Sequence, residues 1–134
     1  MNVKLTKFNR LFFKTLAGCK DVLIKDKGFY YTIICDGEKT GVVGFVPALF
    51  PKSGFVQIVV APSFRGRGLV RIAESLLAKK RGLKILYATV KKRNVASIKS
   101  HKKAGFHLMK SSELNFLRVK GLLKNEEVRL VRFF

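Results

Sequence analysis

The stretch QIVVAPSFRGRGLVRIAES, Gln57 to Ser75, decides the architecture: an apolar run ends at Pro62, and a glycine-rich basic turn then feeds an amphipathic segment. Val56, Ile58, Val59 and Val60 suit a strand covered on both faces. Leu69, Ile72, Ala73, Leu76 and Leu77 recur at the spacing of one helix face, so the order is strand, loop, helix. Between strand and helix lie Arg65, Gly66, Arg67 and Gly68. Glycine lets the backbone turn tightly and approach a ligand closely, and the free N–H groups of the helix start point into the turn with the positive dipole end behind them. The turn is an anion cradle, most simply for phosphate.

At these residues the chain resembles the GNAT family of Gcn5-related N-acetyltransferases. The family's pyrophosphate-binding pattern, R/Q-x-x-G-x-G/A, falls on Arg65 to Val70, with Arg65 and Gly68 matching and Val70 departing from the final Gly or Ala. A second block, Asn94 to Phe106, is similar to the family's N-x-x-A/S-x-x-x-Y-x-x-x-G-F: Asn94, Ser97, Gly105 and Phe106 match, and His101 stands at the tyrosine position. Asn94 is a good helix N-cap and Gly105 a natural left-handed stop. Blocks and flanking strands together span roughly residues 29–133. The resemblance implies a mixed α/β fold, a central sheet with two parallel strands splayed apart and helices on its flanks, in one domain over residues 1–134. The bland competitor is an unrelated α/β domain.

The resemblance also implies acetyl-CoA as cosubstrate and an amine as acceptor. The coenzyme contacts it implies are Ile58, Val59 and Val60 on the central strand, Arg65, Gly66, Arg67, Gly68, Leu69 and Val70 at the turn, and Asn94 and Ser97 at the second helix. Strand amides at Val59 or Val60 would polarise the thioester carbonyl without any side chain. His101 would lie near the coenzyme sulfur, where an imidazole can protonate a thiolate; the alternative is a histidine that only packs. Tyr87 is a substitute whose strand position reads first as core. A carboxylate base is missing from Gly54 to Ala61, which offers only Gln57. Glu74 falls within the coenzyme helix and is not well placed for that task on sequence alone.

Charge is the most unusual feature. The chain carries 28 Lys and Arg against 8 Asp and Glu, a formal +20. Fourteen of the cations lie between Ala61 and Ser112, where Glu74 is the sole acid. Such a field favours polyanions and disfavours cationic polyamine acceptors. It points to an acidic protein or RNA, including an aminoacyl-tRNA acceptor, against the alternative of a merely solvated charged face. The missing base and Val70 leave a non-catalytic acyl-CoA-binding regulatory module as the rival from another class.

The remaining chain supplies the frame. Two cysteines, Cys19 and Cys35, make no disulfide framework, and two histidines without a cysteine cluster make no metal site. The longest apolar stretch, Val42 to Phe50, is interrupted by Gly44 and Pro47 and is too short to span a membrane. A reduced, cytoplasmic protein is expected, as monomer or homodimer. Phe8, Leu11, Phe12 and Leu16 predict a first helix within 3–17, with Thr6 as cap and Gly18 as stop, leaving only Val3 to Leu5 as an abbreviated strand. A hairpin is expected from Phe29–Cys35 and Gly41–Val46. Further strands are expected at 83–90, 106–110 and 128–133, with a basic excursion from Ser111 to Asn125.

Overall fold

The computed structural model describes residues 1–134. Its core is one seven-stranded sheet whose strands lie in the order Val3–Lys7, Phe29–Cys35, Glu38–Pro47, Ser53–Val60, Ile85–Lys91, Glu127–Phe133, His107–Leu108. β2 (Phe29–Cys35), β3 (Glu38–Pro47) and β4 (Ser53–Val60) form an antiparallel meander, as their β-branched and aromatic runs predict. The hairpin turn uses Asp36 and Gly37 at positive φ, the geometry that an Asp-Gly pair accommodates. From β4 the chain crosses through α2 (Leu69–Arg81) to β5 (Ile85–Lys91), the sheet's parallel neighbour. α3 (Val95–Lys103) then leads to β6 (His107–Leu108), and β7 (Glu127–Phe133) inserts between β5 and β6.

α2 buries Leu69, Ala73, Leu77 and Ala78 against Ile33, Val43, Phe45, Val60, Leu86, Ala88 and Leu130 of the sheet. On the opposite face a smaller cluster joins Phe13 and Leu16 to Val42 and Val59. Both faces of the central strands are therefore covered, which is why they read as continuous apolar runs.

The N-terminus is not abbreviated. β1 (Val3–Lys7) pairs with β2 along all five residues, Val3 opposite Cys35 through Lys7 opposite Tyr31. The alternation Val3, Leu5 is strand-like, and the helical spacing further on obscures it. α1 (Arg10–Thr15) is correspondingly short and is capped by Asn9, whose Oδ1 accepts from Phe12 N at 3.0 Å, not by Thr6. Leu11 is 78% exposed and lies off the core face. The expected excursion holds a helix, α4 (Ser111–Val119), whose first turn is closed by Glu113 accepting from the Lys110 N–H. Leu114 and Leu117, three apart, pack its inner face. The strand expected at 106–110 shrinks to His107–Leu108.

The parallel pairing also falls elsewhere than near Val60. β4 meets β5 only at Ser53–Ile85, Gly54–Leu86 and Phe55–Tyr87. β5 pairs with β7 along all seven of its residues, and that ladder carries it away from β4. Val56–Val60 and the second half of β5 are therefore unpaired with one another, and we call the space where they part the cleft.

Candidate active site

Parting from β5 leaves one edge of β4 without strand partners. Successive residues of a strand direct their peptide groups to opposite edges. The Val60 carbonyl accepts from Arg65 Nε at 3.0 Å, which marks the Val60 peptide as facing the cleft rather than β3. By alternation Ile58 shares that edge, and Val59 faces β3 opposite Val42. Of the three strand residues expected at the coenzyme, two thus present backbone groups to the cleft. The Arg65 side chain folds back onto the strand and braces the turn, a contact that the motif did not predict.

The turn itself has the predicted character. Gly66 and Gly68 adopt φ of +77° and +75°, a region costly for residues with a Cβ. A Cβ at either would meet nothing within 4 Å, so no protein atom crowds the turn at these positions. Gly68 precedes the first residue of α2 and offers no side-chain cap, leaving the helix's first N–H groups directed outward. The Arg67 guanidinium lies 5.2 Å from the Phe64 ring centroid, held beside the turn. Val70 packs its side chain against the main core, so its departure from Gly or Ala does not fill the cradle.

α3 begins beside the far wall of the cleft, just after β5. Asn94 caps it, Oδ1 accepting from Ser97 N at 3.2 Å. Ser97 Oγ lies 3.4 Å from His101 Nδ1, and the Ser97 carbonyl lies 3.0 Å from the same nitrogen. The other ring nitrogen, Nε2, is 3.4 Å from Glu74 Oε2. His101 is 7% exposed and Glu74 fully buried, and the Phe106 ring stands edge-on to the imidazole at 5.1 Å. The histidine expected at the coenzyme sulfur therefore has both ring nitrogens against protein atoms, inside the contact of α2 with α3. Glu74 Oε1 has no hydrogen-bond partner, and the Oε2 contact falls short of an aligned hydrogen bond. On sequence Glu74 falls within the coenzyme helix and is not well placed as a base; its burial against His101 was not foreseen. The signal was its place: Ala73, Leu77 and Ala78 on the same helix are buried.

Burial alone pushes the His101 pKa down, but contact with Glu74, the Glu74 charge and the Ser97 carbonyl outweigh it, and the value stands above the ordinary 6.5. A group whose pKa rises on folding gives stability that is complete below its unfolded pKa and is lost as pH rises through the folded one. Stability is accordingly expected to fall as pH is raised above about 6.5. A pH series of urea midpoints checks this; the slope should disappear in a Glu74→Leu/His101→Phe protein.

On the α1 side of the sheet, Gln57 occupies the position where a base was sought. The Tyr30 hydroxyl donates to Gln57 Oε1, and Gln57 Nε2 donates to the Leu23 carbonyl at 2.8 Å. Lys25 N donates to the Tyr30 hydroxyl at 3.0 Å. The Tyr30 ring reaches Gln57 because Gly44, between them in the sheet, has no side chain; a Cβ there would lie 2.3 Å from the ring. Sequence reasoning missed this tie between the 23–25 segment and the central strand, although a glycine in mid-strand marks such close approach. Neither Gln57 nor Tyr30 is a carboxylate.

A turn with two left-handed glycines thus stands at a helix start, beside a strand edge that has parted from its neighbour. The acetyltransferase (GNAT) family pattern matches residues 4–106, and the chain belongs to that family of acetyl-CoA-dependent N-acetyltransferases. Among solved structures, AAC(6')-Ib in complex with acetyl-CoA superposes with a TM-score of 0.73 at 14% identity, over 99% of this chain and 94% of that one. A Bacillus subtilis acetyltransferase in complex with CoA gives 0.68 at 18% identity, covering 99% and 98%. Campylobacter jejuni PseH with acetyl coenzyme A gives 0.67 at 15%, covering 98% and 99%. The chain spans 62% of the microcin C7 self-immunity acetyltransferase MccE structure. No curated protein matches it by sequence. No helix is long and apolar enough to cross a membrane.

Proposed function

We propose that the protein transfers the acetyl group of acetyl-CoA to a primary amine. The observation that carries this reading is the end of β4–β5 pairing at Phe55 and Tyr87, which leaves the Ile58 and Val60 peptides facing a cleft that leads to the Gly66–Gly68 turn. Pyrophosphate would sit on the α2 N-terminus, with Arg67 beside it. The pantetheine arm would pair with the open β4 edge, and a β4 N–H would polarise the thioester carbonyl as the amine attacks. Asn94 and Ser97 would border the arm from the α3 side. The amine must arrive neutral, since the central strand carries no carboxylate. The positive field lowers the local concentration of free polyamines and favours an acceptor amine on an acidic protein or an RNA.

In this reading His101 is a positioning residue: through Glu74 it fixes α3, and with it Asn94 and Ser97, against the coenzyme helix. Its expected acid role would require Nε2 to leave Glu74. A fall in kcat with KM and coenzyme affinity unchanged in His101→Phe would restore that acid role.

Thermal unfolding with acetyl-CoA, CoA and ATP at low and high salt tests the coenzyme assignment. Ligand at about a hundred times its Kd should add about 2.7 kcal/mol. A salt-resistant rise with both coenzyme forms and not with ATP is expected. An equal rise with ATP that salt abolishes would mean that net charge alone was responsible. Release of free CoA thiol in the presence of candidate amines then tests turnover; coenzyme binding without thiol release for any amine would favour the non-catalytic module.

A further inference from the structure

At the end of the sheet remote from the cleft, the end of β3, the start of β4, the start of β5 and the end of α2 come together. α2 alone separates the two ends by about 20 Å. A concavity of about 350 Å³ lies there, its lining including Phe29, Phe45, Phe50, Lys52, Arg81 and Leu83. Leu49 is 94% and Phe50 64% exposed at the tip of the β3–β4 loop. That loop is braced: Ser53 Oγ donates to the Phe50 carbonyl at 2.6 Å, and Ala48 N to the Ser53 carbonyl at 3.0 Å. Lys52, at φ +59°, gives its carbonyl to both Lys84 N and Ile85 N. The braced loop thus holds two large apolar side chains at the surface, beside the concavity.

The rim is cationic. Residues 28–31, 45–55 and 78–86 contain Lys52, Lys79, Lys80, Arg81 and Lys84 and no Asp or Glu. No Lys or Arg of the chain has a carboxylate oxygen within 4 Å; the one such contact in the protein is His101 with Glu74. Arg81 lies 4.0 Å from the Phe29 ring centroid and Lys80 5.3 Å from that of Tyr31. A guanidinium resting on a ring leaves its other face available to a further flat group.

We propose that this surface binds single-stranded nucleic acid, with phosphates on Lys52, Lys80, Arg81 and Lys84 and bases stacked against Phe50 and the Arg81–Phe29 pair. Unpaired cations supply the backbone attraction and exposed rings the stacking, the combination that single-strand binding uses. A duplex hides the base faces that the rings would meet, and an acidic peptide offers charge without flat rings.

Fluorescence anisotropy of the full chain with a labelled oligouridine of about 12 nucleotides tests the proposal. Binding should weaken steeply between about 50 and 200 mM salt. Phe50→Ala should weaken it about tenfold, the loss of one stacked base. Lys80→Glu/Arg81→Glu should weaken it more and flatten the salt slope. Both variants should keep the wild-type rise in unfolding temperature with CoA, which reports that fold and cleft are intact. Equal affinity for a duplex of the same length or for polyglutamate would overturn the proposal, as would an unchanged affinity in Phe50→Ala. Affinity for anionic vesicles that exceeds that for the oligonucleotide and is lost in Phe50→Ala would assign the surface to lipid instead.

Discussion

Gly68→Asp is expected to lose coenzyme affinity by about a thousandfold while the protein remains folded. The aspartate carboxylate would stand in the turn where the pyrophosphate is to sit. Two like charges about 4 Å apart at a protein surface repel by about 4 kcal/mol, and every 1.4 kcal/mol is about a factor of ten. The backbone conformation is a separate, smaller matter. Gly68 has φ +75°, and Asn and Asp tolerate that region better than other side chains. A Cβ meets no atom within 4 Å, so the substitution does not disturb packing. Gly68→Asn is therefore the control: it carries the same conformational cost without the charge, and a loss of several-fold is expected. Calorimetric titration with CoA checks both. Equal losses in the two variants would mean that the turn acts through conformation; an unchanged Kd in a folded Gly68→Asp protein would remove the phosphate assignment.

The second large effect lies in the interior. His101→Leu is expected to destabilise the protein by about 3–5 kcal/mol, because it leaves the buried Glu74 without a counter-charge. In a domain of this size that lowers the unfolding temperature by about 10 °C or more. Glu74→Leu/His101→Phe should recover most or all of the loss, since replacing both members of a buried ion pair with apolar groups is often neutral or stabilising. A double-mutant cycle by urea unfolding measures the coupling. Additive effects of the two single changes would show that the 3.4 Å contact does not couple them energetically. The doubly substituted protein also isolates function from stability: slow turnover in a stable protein that still binds CoA would be a chemical role for the pair.

Local chemistry explains what could be read in advance. The strand–turn–helix at 57–75 was legible because glycines at positive φ and a period-3.6 apolar face are properties of neighbouring residues. Asn94 capping α3 is likewise local, with donor and acceptor three residues apart. α4 carried a comparable signal in Glu113 and the Leu114, Leu117 spacing, masked by the charge around it. β1 was misjudged because its ladder to β2 joins residues about thirty apart, a pairing that propensity does not encode.

By itself the sequence determined the strand–turn–helix order at 57–75, the glycine-rich turn and the positive field, since each is a property of residues close in the chain or of their sum. Tertiary structure alone decided where β4 and β5 part, because that point depends on how β7 draws β5 away. It decided that Glu74 is buried and meets His101, a contact across two helices 27 positions apart. It also brought Phe29, the loop that carries Phe50 and Lys52, and Arg81 into one basic and apolar surface, since only the close packing of the sheet end against the end of α2 makes these three segments neighbours.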